Sequence, residues 1–218
     1  MTLRELRKLA KESQDPWVLD RLSRDENHPV RGAVARNPNT RLKTLTRLSR
    51  DEEWTVREEV ALNSSTRVKI LDQLSRDRDY QVREQVARNP NTPVEVLARL
   101  SRDRDYEVRE QVALNPNTPV ETLNRLSRDE DLEVREGVAN NRNTSAETLE
   151  RLSRDKDRWT RSEVAGNPST PVGTLNQLSR DEDEDVRRRL AENPKWKAVQ
   201  EPGLLDVARL ASSWLGII

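Results

Sequence analysis

The sequence has no cysteine and no phenylalanine, a single histidine, six glycines and only 3% aromatic residues. Without cysteine there is no disulfide, no thiolate metal ligand, no cysteine nucleophile and no ligand set for an iron–sulfur cluster. With His28 as its one histidine, the chain cannot assemble a multi-histidine metal site or a histidine-based triad. So few glycines leave no glycine-rich phosphate loop. No apolar run approaches the roughly 18 residues of a membrane helix. The opening Met1–Arg7 segment is charged and lacks the apolar core of a signal peptide. Net charge is missing too: 39 Lys and Arg balance 39 Asp and Glu, so no overall field draws nucleic acid or anionic lipid. Hydrophobic residues make up 33% and charged residues 36%, against about 45–50% and about 25% in an ordinary domain. That balance lies near the composition of disordered chains.

What is present is a repeat. Asn recurs at Asn37, Asn63, Asn89, Asn115, Asn141, Asn167 and Asn193, always 26 residues apart. Numbering each unit from that Asn, position 9 is always Leu (Leu19 to Leu175) and position 12 always Leu (Leu22 to Leu178). Positions 13–15 always read Ser-Arg-Asp, position 21 is always Arg (Arg31 to Arg187), and position 25 is always Ala. Position 24 is Val except at Leu190. Seven units cover residues 11–192 with no slip of register, the first being degenerate at its start.

Each unit reads as two short helices. In residues 89–114, Thr92 is placed to cap a first helix, with Pro93 at its first position and Glu95 completing a capping box. Val94, Leu97 and Leu100 are spaced as one apolar face of that helix. Asp103 and Asp105 are placed to cap a second helix, whose apolar face is Val108, Val112 and Ala113. Asn115-Pro116 ends it. Neither helix is long enough to persist alone in water. Stacking of units is what joins these small faces into a continuous core, and a thin stack needs few apolar residues per unit. The low hydrophobic content is thereby explained.

The pattern Val-Arg-x-x-Val-Ala-x-Asn-Pro-x-Thr-Pro-x-x-x-Leu-x-x-Leu-Ser-Arg-Asp, clearest in residues 82–103 and 108–129, resembles the leucine-rich repeat variant (LRV) family. The resemblance covers about residues 11–196. It implies an all-α, right-handed helical-repeat solenoid with two short helices per 26-residue unit, one α and one α or 3₁₀, and no β-sheet. Family proteins can carry a cysteine-rich domain holding a four-iron iron–sulfur cluster. This sequence has no cysteine to hold one, so no redox role is carried over.

The expected organisation is one elongated domain: an N-terminal helical cap over residues 1–10, seven repeats over 11–192 and a C-terminal helical cap over 193–218. The last segment, ending Trp214-Leu215-Gly216-Ile217-Ile218, is unusually apolar for this chain. Either it closes the stack or it forms a homodimer contact.

Function is expected where the units differ. Position 18 reads Trp54, Tyr80, Tyr106 and Leu132 in four successive units, an aromatic-apolar ridge of the kind that anchors partners or covers the seams between units. Glu58, Glu84, Glu110 and Glu136 follow at position 22 and make the flanking face acidic. The invariant Arg rows are expected to stitch the turns of neighbouring units with Asp, the competing reading being a cationic track for phosphate. The resulting expectation is a non-catalytic scaffold that binds a protein or peptide on its curved face through these eight residues, without cofactor or metal, in the cytoplasm and away from membranes. The alternative is a nucleic-acid-binding helical solenoid. The zero net charge and the acidic second-helix face speak against it.

Overall fold

The computed structural model describes residues 1–200. In chain order the helices are α1 (Leu3–Glu12), α2 (Pro16–Leu22), α3 (His28–Arg36), α4 (Leu42–Leu48), α5 (Trp54–Leu62), α6 (Val68–Leu74), α7 (Tyr80–Arg88) and α8 (Val94–Leu100). They continue as α9 (Tyr106–Leu114), α10 (Val120–Leu126), α11 (Leu132–Asn140), α12 (Ala146–Leu152), α13 (Arg158–Gly166), α14 (Val172–Leu178), α15 (Glu184–Glu192) and α16 (Pro194–Gln200). There is no strand among the described residues. The fold is an all-α helical-repeat solenoid whose units each carry a seven-residue first helix and a nine-residue second helix. Both are α-helices. Tighter i→i−3 bonding is confined to ends such as Arg102 N to Arg99 O and Asp103 N to Leu100 O. The C-terminal tail beyond Gln200, with its expected cap or homodimer contact, lies outside the described residues.

The chain forms two compact bodies, residues 1–137 and 138 onward. In the first, α1 packs on α3, α3 on α5, α5 on α7 and α7 on α9. The first helices lie in the notches between successive second helices and approach one another far less. The reason is side-chain size. Second helices meet through Val and Ala such as Val82, Val86 and Ala87, all fully buried, whereas first helices present fully buried Leu such as Leu71 and Leu97. The second-helix row is therefore the tighter, inner layer of this body. In the second body α13 packs on α15, with Leu149, Leu152, Leu175 and Leu178 buried beside them. Each fully buried Leu contributes about 1.5–3 kcal/mol by leaving water.

Two expectations about the first helix are corrected. Val94 is 46% exposed, while Val96 is buried. Because α8 begins at Val94, the face presented to the core is Val96, Leu97 and Leu100, one turn apart at i and i+4. Thr92 does not cap α8. Its hydroxyl instead donates to the Val86 carbonyl of the preceding second helix at 2.5 Å. Thr40, Thr66 and Thr118 repeat that bond on Val34, Val60 and Val112. The C-terminal carbonyls of the second helix are buried and need a donor, and the Thr hydroxyl is the nearest one.

The units are joined by two side-chain ladders. Asn63 Nδ2 donates to Ala35 O at 2.6 Å and to Asn37 O at 3.1 Å, while its Oδ1 accepts from Ser65 N at 2.8 Å. Asn89 repeats this on Ala61 and Asn63, and in the second body Asn167 and Asn193 repeat it on Ala139 and Ala165. The second ladder runs the other way along the chain. Arg83 is buried and grips Asp103 through Nε at 2.7 Å and Nη2 at 2.8 Å, and its Nη1 donates to Asp77 O and Arg78 O. Arg31–Asp51, Arg57–Asp77, Arg109–Asp129 and Arg161–Asp181 do the same. Asp103 and Asp105, expected to cap α9, are thus taken by Arg83. The caps at Asp157 and Asp183 do form, on Trp159 N and Asp185 N. Among the described residues no φ is positive, so these turns need no glycine, in keeping with its scarcity.

Candidate functional site

The ladders decide which parts of each unit are left over for other work. In the Ser-Arg-Asp triplet the Asp serves Arg of the preceding unit. The Ser hydroxyl donates back to its own helix, as Ser101 does to Ala98 O at 2.8 Å. The middle Arg is exposed throughout the first body, at Arg24, Arg50, Arg76, Arg102 and Arg128. The position-21 Arg row is the opposite case: it is nearly all buried and offers no cationic stripe.

Trp54, Tyr80, Tyr106 and Leu132 each open a second helix, at the start of α5, α7, α9 and α11. Trp54, Tyr80 and Leu132 are half-buried, and Tyr106 is exposed. One turn further along, Glu58, Glu84, Glu110 and Glu136 are half-buried on the same helices. Among the described residues none of Glu58, Glu84 and Glu110 forms an ion pair. Burial, then the neighbouring Glu59 and Glu84, pushes the Glu58 carboxyl above its usual range. Glu84 is raised by burial and Glu107, and Glu110 by burial and then Glu133, Glu84 and Glu107. The Tyr106 hydroxyl is raised as well, chiefly by Glu107. The nearest cations offset the row only in part: Arg36 pairs with Glu59 at 3.1 Å, and Arg36 and Arg88 do not outweigh the rise at Glu58 and Glu84.

Gln85, next to Glu84 in sequence, adds to the same deficit. Its Nε2 reaches Glu58 Oε1 at 3.5 Å, but its Oε1 is buried and has no hydrogen-bond partner. Sequence reasoning missed this atom. The face is thus rich in acceptors and short of donors. Among the described residues no group of His, Asp and Glu side chains is arranged to hold a metal ion, and no described helix is long and apolar enough to cross a membrane.

These opposed carboxylates give the protein a two-sided acid response. Burial raises Asp77, Asp103 and Asp181, but the Arg57, Arg83 and Arg161 guanidiniums outweigh it and hold all three below the ordinary 3.8. Such groups stabilise the fold above their unfolded pKa and lose that contribution as pH falls through the lower folded value. The glutamates are raised above 4.5, so their ionised forms strain the fold at neutral pH, and the strain is relieved as they protonate. Thermal stability is therefore expected to rise from pH 7 to about pH 4.5 and to fall steeply below about pH 3.5. A melting series at constant ionic strength checks this, and a monotonic decline from pH 7 would refute the assigned row of strained glutamates.

The family profile "Leucine rich repeat variant" matches residues 80–105, 106–131 and 132–157 as three consecutive units. Among solved structures, "A leucine-rich repeat variant with a novel repetitive protein structural motif" is 29% identical, with a TM-score of 0.61 over 86% of this chain and 82% of that one. An engineered protein matches at 18% identity and TM-score 0.50, over 88% of this chain and 73% of its own. The YibA protein of Escherichia coli matches at 15% and 0.51, over 88% and 96%. The last two share the fold alone. No protein of curated function matches the chain.

Proposed function

We propose that this solenoid of leucine-rich repeat variant units is a binding scaffold that takes a Lys- and Arg-rich segment of a protein partner on the inner face of α5, α7 and α9. The observation that carries this reading is the donor deficit: Glu58, Glu84 and Glu110 stand in a row, none of them in an ion pair, beside a buried Gln85 Oε1 with no partner. A partner bringing ammonium or guanidinium groups supplies the missing donors and lowers the mutual repulsion of the carboxylates. Tyr106, exposed at the head of α9, gives such a segment an aromatic surface to lie on. Nucleic acid is the poorer partner for this face, because its phosphates would meet the acid row. The scaffold acts by holding its partner, and no catalytic step is assigned.

The test is fluorescence anisotropy with labelled eight-residue peptides of alternating Lys and Arg, compared with Ser-Gly peptides of the same length. A triple variant Glu58→Gln, Glu84→Gln, Glu110→Gln is expected to weaken the basic peptide by at least tenfold, about 1.4 kcal/mol. A control variant, Glu52→Gln, Glu130→Gln, Glu182→Gln, changes net charge equally but lies on the exposed turns and should bind as the parent does. Equal losses in the two variants would reduce the effect to bulk electrostatics and remove the proposed face.

A further inference from the structure

The outer layer holds a second, separate arrangement. At position 10 of the first full set of bonds sits Asp20. Its carboxylate accepts from the Thr44 hydroxyl at 2.9 Å and from Arg47 at 3.1 Å, and pairs with Arg24 at 3.4 Å. These donors lie at position 8 of the next unit, position 11 of the next unit and position 14 of its own. Two units later Asp72 holds Arg99 at 2.7 Å and Arg76 at 3.0 Å in the same way. In the unit between, Thr46 replaces the acid, and the next unit has Gln73 where the Arg would be. Over these three units acid and arginine come and go together.

Ala98 departs from that pattern, as Asn124 with Arg151 and Glu150 with Gln177 do in later units. Three units on from Asp20, all three donors are retained: Thr122, Arg125 and Arg102 correspond to Thr44, Arg47 and Arg24. The acceptor they would share has become a methyl group. What stands there is a cavity of about 630 Å³ lined by Ala98, Arg102, Thr122 and Arg125, together with Glu95, Glu121 and Arg99, the last held by Asp72. Among the described residues Arg102 has no ion pair, the Thr122 hydroxyl has no hydrogen bond, and Arg125 reaches only the Ser101 hydroxyl. Thr122 is buried and Arg125 half-buried. Burial, and then the charge of Arg102, hold Arg125 below the usual arginine value against the opposing charge of Asp129.

We propose that this cavity binds the carboxylate of a ligand, which takes the place that the Asp20 side chain fills three units earlier: both oxygens lie among the Arg102 and Arg125 guanidiniums and the Thr122 hydroxyl. Glu95 and Glu121 favour a singly charged group over dianionic phosphate, and they offer acceptors to a cation next to the carboxylate. The site is independent of the acidic inner face. It uses none of the same residues and attracts the opposite charge.

The repeat itself supplies the decisive variant. Ala98→Asp restores the internal carboxylate at a position where Asp20 and Asp72 show that it is accommodated. It is expected to raise the thermal midpoint and to occupy the site. The probes are acetyl-Gly-Asp-Gly-amide, acetate and inorganic phosphate, followed by the arginine side-chain Nε–H resonances of the whole chain. The Arg102 and Arg125 signals should shift saturably with the Asp peptide and not with acetyl-Gly-Asn-Gly-amide. The apparent affinity should fall at least tenfold in Ala98→Asp, and also in Thr122→Val should the former fold poorly. Acetate matching the peptide assigns the site to free carboxylates, and a stronger peptide assigns it to an acidic side chain. Phosphate binding more tightly than either, no saturable shift, or an Ala98→Asp chain that binds as well as the parent would overturn the proposal.

Discussion

Replacing Arg83 by Ala is expected to lower stability by about 3–5 kcal/mol, the usual cost of removing one member of a buried ion pair. The size follows from what the side chain holds. Its guanidinium makes two bonds to Asp103, one to Asp105 at 2.5 Å and two to the carbonyls of Asp77 and Arg78. Without it, Asp103 remains a buried carboxylate with little compensation, and two turn carbonyls lose their donor. For a chain of this length the thermal midpoint should drop by about 10 °C or more. Arg83→Lys should recover only a small part, because an ammonium cannot match the planar fork that bridges a carboxylate and two carbonyls. Denaturant midpoints of both variants check this. Should Lys restore the parent's stability, charge alone would be at work and the geometric account would fail.

The second large effect concerns Asn63. Asn63→Ala should cost about 2–4 kcal/mol, since the Ala35 and Asn37 carbonyls that it serves are buried and each unsatisfied group costs about 1–3 kcal/mol. Asn63→Asp is the sharper variant. It keeps the shape and the bond to Ser65 N but turns a donor into a charged acceptor facing two carbonyl oxygens. It should be less stable than Asn63→Ala at pH 7, and the gap should narrow on acidification as the new carboxyl protonates. An Asp variant at least as stable as the Ala variant at pH 7 would show that donation to those carbonyls is not what Asn63 provides.

Much of this architecture is legible in the residues. The 26-residue period, the two-helix unit and the Leu and Val core positions follow from spacing, because apolar periodicity maps directly onto a helical face. The tasks of the polar residues are harder to read. Thr92 before Pro93 and Glu95 reads as a capping box, yet its hydroxyl serves a carbonyl six residues earlier. A local pattern does not reveal that the competing acceptor is buried. Asp103 reads as a cap for the second helix, yet it belongs to Arg83, 20 residues away. The pairing depends on how units stack, and the linear chain does not display that. The acid row at position 22 was visible as a pattern, but the unpartnered Gln85 oxygen was not. Nor was the significance of Ala98, whose neighbours had first to be seen around Asp20.

The two ladders point in opposite directions along the chain: Asn63 looks back 26 and 28 residues, and Arg83 looks forward 20. Within each body the turns are therefore fastened both to their predecessors and to their successors by bonds that count residues. A single inserted residue would throw every such bond out of phase at that seam, whereas a duplicated block of 26 would find its fastenings ready on both sides. Such a molecule lengthens by whole modules, and each added copy is free to vary at its unfastened positions, as Ala98 has done.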